Sequence, residues 1–274
     1  MVQMSAWALE DISWEKFTPE LVNSDVLKVV KAASLVEYNA TDYEEYLNNI
    51  FHNDPLMKKA VKTWTVEEIQ HGKALAKWAT LADPTFDFEE ALKIFRKGFK
   101  VDLYAGTSTR GSLSGELVAR CVIETATSSF YTALKDMAQE PVLKEICAHI
   151  AADELRHYKL FYTHLQRYLE TEHPSKLARL KVAVGRMLEA EDDELAMAYY
   201  AANEASSSPY ERSLNAAAYL KRVYGYYDKS HVKRGVSMIL KASGFPPQGF
   251  LSNVFFGVIW IFITLRKKTT SLKR

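Results

Sequence analysis

Apolar residues recur at spacings of three and four along nearly the whole chain, and strand-like alternation is almost absent before the C-terminus. That periodicity predicts a succession of helices. The first covers about residues 25–51, with Asn23-Ser24-Asp25 offering capping side chains. The second covers about 54–81 and starts at "NDP", where Pro55 suits a first helical turn. After the linker "LADPTFD" a helix is expected over about 87–100. The stretch "AGTSTRGSLSG" predicts a turn, followed by a helix to about 138. Pro141 opens a further helix to about 170, Pro174 another to about 204, and a last one spans about 209–242 until "GFPPQG" ends it. Four of these are long and joined by short connections, so the expected fold is all-α: a four-helix bundle with additional helices, followed by an apolar C-terminal tail. The expected division is a helical domain over 1–248 and a tail over 249–274.

Composition narrows this picture little. The 274 residues, 48 % hydrophobic and 12 % aromatic, suffice for a sizeable core. Lys and Arg number 35 against 34 Asp and Glu, so no global charge draws the chain to nucleic acid. Two cysteines, Cys121 and Cys147, form no disulfide framework and suit a reducing compartment. The N-terminal stretch lacks the basic start and apolar run of a signal peptide, and a cytoplasmic body is the expectation.

The chemistry lies in four helices. "WTVEEIQHG" carries Glu68 and His71, and "IAADELRH" carries Glu154 and His157 at the same spacing. Three residues on a helix turn through about 300°, so each pair shares one face. The other two long helices each offer an acid in apolar surroundings, Glu37 in "ASLVEYNATDYEEYL" and Glu124 in "ARCVIETATSSFY". The order Glu, Glu-x-x-His, Glu, Glu-x-x-His matches the known ligand pattern of ferritin-like di-iron and di-manganese carboxylate bundles. Four carboxylates would neutralise two divalent cations, whereas four uncompensated buried carboxylates would be very costly. Oxygen and imidazole ligands suit iron or manganese. Glu145 and His149 have spacing four and point away from this face, so they read as surface; Glu67 and Glu44 read as solvated neighbours.

At these motifs the chain resembles the soluble acyl-carrier-protein desaturases. "WTVEEIQHG" is similar to their "WTAEENRHG", "ICAHIAADELRH" to their "ICGTIAADEKRH", and "IETATSSF" to their third ligand helix. The resemblance covers about residues 30–170. It implies a di-iron centre with Glu68 and Glu154 bridging, Glu37 and Glu124 as terminal ligands, and His71 and His157 each on one metal. The first helix matches poorly, since "NATDY" follows Glu37 where the family has a "LPTY"-like stretch. Thr127 aligns with a threonine on the oxygen side. It is read either as a helical threonine bonding the preceding turn or as a proton-delivery group. Asp153 and Trp64 align with residues behind the ligands; the resemblance has Asp153 orienting the His71 ring with Trp64 donating to it, and Trp64 is equally an ordinary core aromatic. The implied reaction is dioxygen-dependent desaturation of an acyl chain, with electrons from an external donor such as ferredoxin. No flavin or nicotinamide fingerprint is present in the chain.

The tail departs from that family. Phe250 to Leu265 carries no charge, and Arg266, Lys267, Lys268, Lys273 and Arg274 follow. Sixteen helical residues reach about 24 Å, short of a bilayer core of roughly 30 Å. A shallow or re-entrant anchor on the cytoplasmic face is therefore expected, its basic end on anionic headgroups, with a spanning anchor, a helix that closes a soluble core and a dimer contact as alternatives. An anchor favours a membrane-dissolved acyl substrate over a carrier-borne one. Other readings of the same ligands stay open: a monooxygenase hydroxylating a lipid or quinone, a ferritin- or rubrerythrin-like iron or peroxide protein, and a radical-generating subunit.

Overall fold

In a computed structural model, residues 7–189 and 193–271 are described, the side chains as far as residue 267. The fold is the all-α helical bundle that the periodicity predicts, with no strand among the described residues. Three short 3-10 turns over Leu9–Asp11, Trp14–Lys16 and Pro19–Leu21 precede the α-helices. The helices are α1 (Ser24–Tyr38), α2 (Ala40–Ile50), α3 (Pro55–Ala82), α4 (Phe88–Gly98), α5 (Leu113–Met137) and α6 (Pro141–Glu172). They are followed by α7 (Lys176–Leu188), α8 (Asp193–Asn203), α9 (Arg212–Tyr226), α10 (Lys229–Ala242) and α11 (Phe250–Ser271).

Local chemistry explains the boundaries. The side chains of Asn23, Asp54, Asp87, Ser175 and Asp228 accept first-turn N–H groups of α1, α3, α4, α7 and α10, satisfying donors that a helix start leaves over. At α6 the carboxylate of Glu140 accepts from Leu143 N at 2.8 Å. Three expected helices are each divided. Residues 25–51 break at Asn39, where the buried amide oxygen accepts from Arg96 Nε on α4 at 2.9 Å instead of continuing the helix. Residues 209–242 break at Asp228, whose side chain starts α10. Residues 174–204 form α7 and α8, and the intervening 190–192 lie outside the described residues.

The contacts divide the chain into two compact units, with α5 and α6 contributing to both. The first comprises residues 1–105, 134–150 and 191–223. In it α1 packs on α3 and α8, α2 on α3, and α4 on α8. Its N-terminal segment lies on the body: Ser13 N and Oγ meet the Glu145 carboxylate at 3.2 and 3.4 Å, and Lys77 Nζ sits 4.0 Å from the Trp14 ring centre. Glu145 is therefore half-buried beneath this segment, not the surface residue that its helical phase suggests. At Gly72 two helix backbones come close: an added Cβ would fall 2.7 Å from Tyr38 N and 2.9 Å from Tyr38 Cα.

The second unit comprises residues 106–133, 151–190 and 224–274. Here Arg234 of α10 donates to Thr132 Oγ1 and Ser128 Oγ of α5, and Tyr158 Oη of α6 donates to Met238 O of α10. The Glu172 carboxylate, at the end of α6, accepts from Leu113 N and Ser114 N at the start of α5. Val232, Val236 and Leu240 of α10 and Ile263 of α11 form a core against which Phe255, Ile259 and Trp260 of α11 pack. At 22 residues, about 33 Å, α11 runs further than the sixteen apolar positions of the tail, because it continues through the basic residues. Lys273 and Arg274 lie outside the described residues.

Two glycines test this packing. Gly72→Ala should lower stability by about 1–2 kcal/mol, because the clash with the Tyr38 backbone outweighs a helix-propensity gain of about 1 kcal/mol. Gly185→Ala, in open space on α7, should instead raise stability by up to about 1 kcal/mol. Urea unfolding of both variants reads the two signs.

Candidate metal centre

The first unit builds one triad. Gly72 lets the end of α1 approach α3 beside His71, which brings in Glu37 one residue before that end. His71 Nδ1 lies 3.6 Å from Glu37 Oε2 and 3.6 Å from Glu68 Oε2. His71 is fully buried and both glutamates are nearly so. The Trp7 ring stacks on His71 at 6.1 Å with an interplanar angle of 1°, and its ring also stacks with that of His149 at 5.0 Å. Gln70 Nε2 donates to Trp7 O at 3.0 Å and holds this tryptophan in place. The stack restricts the plane of the His71 ring.

The second unit builds the same triad from α5 and α6. His157 Nδ1 lies 3.6 Å from Glu124 Oε2 and 3.8 Å from Glu154 Oε2, and all three residues are 1 % exposed. Thr127 Oγ1 lies 2.6 Å from Glu154 Oε2, the length of a hydroxyl hydrogen bond to a charged carboxylate. The same hydroxyl lies 3.2 Å from the carbonyls of Ile123 and Glu124. The helical and the ligand-directed readings of Thr127 thus correspond to alternative acceptors of one proton. Asp153 is buried on α6 and paired with the Arg156 guanidinium. Trp64 is buried on α3, one turn before Glu68.

These distances suit a cation better than a hydrogen bond. A separation of 3.6 Å is too long for N–H···O. One ion about 2.1 Å from each atom fits between two ligand atoms 3.6 Å apart. Within each triad the candidate ligand atoms all lie within 4.8 Å of one another. Each triad buries two carboxylates, a charge that a divalent cation would neutralise. Burial, together with the neighbouring Glu124 charge, pushes the Cys121 thiol well up, and burial does the same to Cys147. Neither cysteine belongs to these clusters, so among the described residues the donor set is carboxylate oxygen and imidazole, which suits iron or manganese.

Sequence reasoning missed or misread four features here. Glu67 is 3 % exposed, not solvated, because α3 is covered by α1, α2 and the first 3-10 turn, and helical phase does not reveal that cover. His149 is half-buried against Trp7. Trp7 itself was not singled out, although Trp7, Trp14 and Phe17 in so short a segment are a signal that it packs on the body. Glu44 is half-buried.

Two buried triads of one histidine and two glutamates, on helices in Glu, Glu-x-x-His order, could each hold a metal ion in this helical protein. The family model described as fatty acid desaturase matches residues 17–233, and the chain belongs to that family. No curated protein matches the chain significantly.

Adding ferrous ion to metal-free protein should raise its melting temperature. The stabilisation is about 2.7 kcal/mol when free ion is a hundredfold above Kd. Glu37→Gln should lose much of that gain, yet melt at or above the metal-free parent, because one buried charge is gone. A wild-type melting temperature indifferent to metal would contradict the assignment.

Proposed function

We propose that the chain is a dioxygen-dependent di-iron desaturase of fatty acyl chains. The observation that carries this reading is the twofold occurrence of one buried triad in a member of the fatty acid desaturase family. The triads would hold two irons, one by Glu37, Glu68 and His71 and the other by Glu124, Glu154 and His157. These assignments follow the resemblance to the soluble acyl-carrier-protein desaturases, as does iron over manganese. Four glutamates against two divalent ions leave the buried site neutral.

When bound, the iron pair supplies reductive activation of dioxygen. The overall change removes one hydrogen from each of two adjacent carbons and, with two electrons and two protons, converts one dioxygen to two waters. The chain's own residues supply orientation and protons. Trp7 holds the His71 ring plane through stacking. Thr127 Oγ1, within 2.6 Å of Glu154 Oε2, is placed to give or take a proton at that oxygen. Asp153, buried next to Glu154 and paired with Arg156, and Trp64, a turn before Glu68, act as positioning residues. The electrons come from a separate donor, for which a ferredoxin-type protein is the family expectation.

The C-terminal segment bears on the substrate. Phe250–Lys267 is, by length and composition, apolar enough to cross a membrane, with mean hydropathy 1.4. A chain attached to the cytoplasmic face of a membrane through residues 249–274 would meet acyl chains dissolved there. A membrane lipid or similar long apolar molecule is therefore the substrate class we favour over an acyl group on a soluble carrier.

Mass spectrometry of total lipids from cells with and without the active gene tests the reaction, with Glu154→Ala as the inactive control. A species lighter by two hydrogens only with the active chain is expected. A species gaining one oxygen would replace desaturation with hydroxylation, and unchanged lipids would contradict a lipid substrate. Thr127→Val should retain its iron while turnover falls roughly 10- to 100-fold. Unaltered turnover would remove Thr127 from proton delivery.

A further inference from the structure

The chain's near-neutral charge conceals a strong local asymmetry. Helices α7, α10 and α11 contain no Asp or Glu at all. Lys and Arg number four in α7, four in α10 and three in α11. With the whole chain at +1, everything outside these helices is net acidic. Lys176, Lys181, Lys229, Lys233, Lys241 and Arg266 are exposed. The three helices also pack together, because α10 contacts both α7 and α11, and Leu180 of α7 joins the core that α10 and α11 share.

One face of α11 is satisfied by that core, and the opposite face is apolar and open. Phe250, Val254, Val258, Ile261, Phe262 and Leu265 are exposed, from 44 % to 86 %, at successive spacings that keep them on one stripe. Cations and aromatic rings meet at the C-terminal end of the stripe. Arg266 lies 5.2 Å from the Phe262 ring centre, Lys267 and Lys229 lie 5.5 and 6.0 Å from that of Trp260, and Lys267 Nζ donates to Tyr227 O at 2.7 Å.

We infer that α7, α10 and α11 form a docking surface for an anionic phospholipid bilayer, with α11 lying in the plane of the interface. This rests on the membrane reading above and deepens it: the attachment is a three-helix basic platform, not a spanning tail. An in-plane helix inserts its open apolar stripe at the headgroup–acyl boundary while the neighbouring lysines and arginines meet lipid phosphates. Spanning the bilayer as a lone helix would strip α11 from α10 and expose Val232, Val236 and Leu240. A second copy of the chain is a poor occupant. A twofold contact sets the same patch against itself, here one predominantly basic surface against another, with Asp228 and Glu189 as the flanking acids.

Flotation of the full chain with vesicles tests this. The probes are phosphatidylcholine alone and phosphatidylcholine containing about one third phosphatidylglycerol. Binding to the anionic vesicles, its loss in high salt, and release from them by alkaline carbonate are expected. Replacing Lys229, Arg266 and Lys267 with Gln should weaken anionic-vesicle binding by roughly a hundredfold, at about tenfold or less per cation. Val258→Asp with Ile261→Asp should abolish insertion while far-ultraviolet circular dichroism and iron content stay unchanged. Equal binding to neutral vesicles, or no binding, would overturn the inference. So would retention after carbonate, which marks a spanning helix, or a concentration-dependent dimer that the two Asp substitutions dissociate. These readouts are independent of catalysis, so loss of desaturase activity with intact vesicle binding counts against the proposed reaction alone.

Discussion

Buried negative charge is the constraint on which this structure turns. Glu37, Glu68, Glu124 and Glu154 are each 7 % exposed or less, each close to a buried imidazole nitrogen. A folded chain gains nothing by taking four carboxylates out of water unless cations follow them in. The helices around them are therefore organised for close approach and fixed direction. Gly72 lets α1 reach α3, Asn39 ends α1 beside Glu37, and Trp7 holds the His71 ring. Stability and metal binding should be coupled here as two faces of one electrostatic balance.

The same logic separates the chemistry from its delivery. The triads sit on α1, α3, α5 and α6, while the basic and apolar surface is on α7, α10 and α11. The chain's near-zero net charge is the sum of three basic helices that contain no acid and a net-acidic remainder. A reaction on an apolar chain needs a water-poor site and a way to collect a poorly soluble substrate. On the proposed reading, separate groups of helices meet these two needs.

Much of this was legible in the sequence. The 3.6-residue period located the long helices, and the repeated Glu-x-x-His marked two pairs of buried side chains with a lone acid for each. What escaped depends on groups distant in sequence. The break at Asn39 is made by Arg96 of another helix, and "VEYNATDY" alone does not contain that partner. Glu67 and Glu145 read as solvent-facing by phase, because phase gives direction along a helix and not what covers it. Glu67 lies on a helix packed from several sides, and Glu145 lies under the segment that carries Trp7 and Trp14. The tail's composition was plain, but its attachment to α10 needed the tertiary structure.

The most direct test of the account is the number of iron ions bound per chain. It would be measured by metal analysis after anaerobic loading and removal of free ion, for the wild type and for His71→Ala and His157→Ala. The account predicts two ions in the wild type and a loss of tightly bound iron in each variant, with helical content retained. A wild-type chain that binds no iron, or variants that bind as much as the wild type, would contradict it.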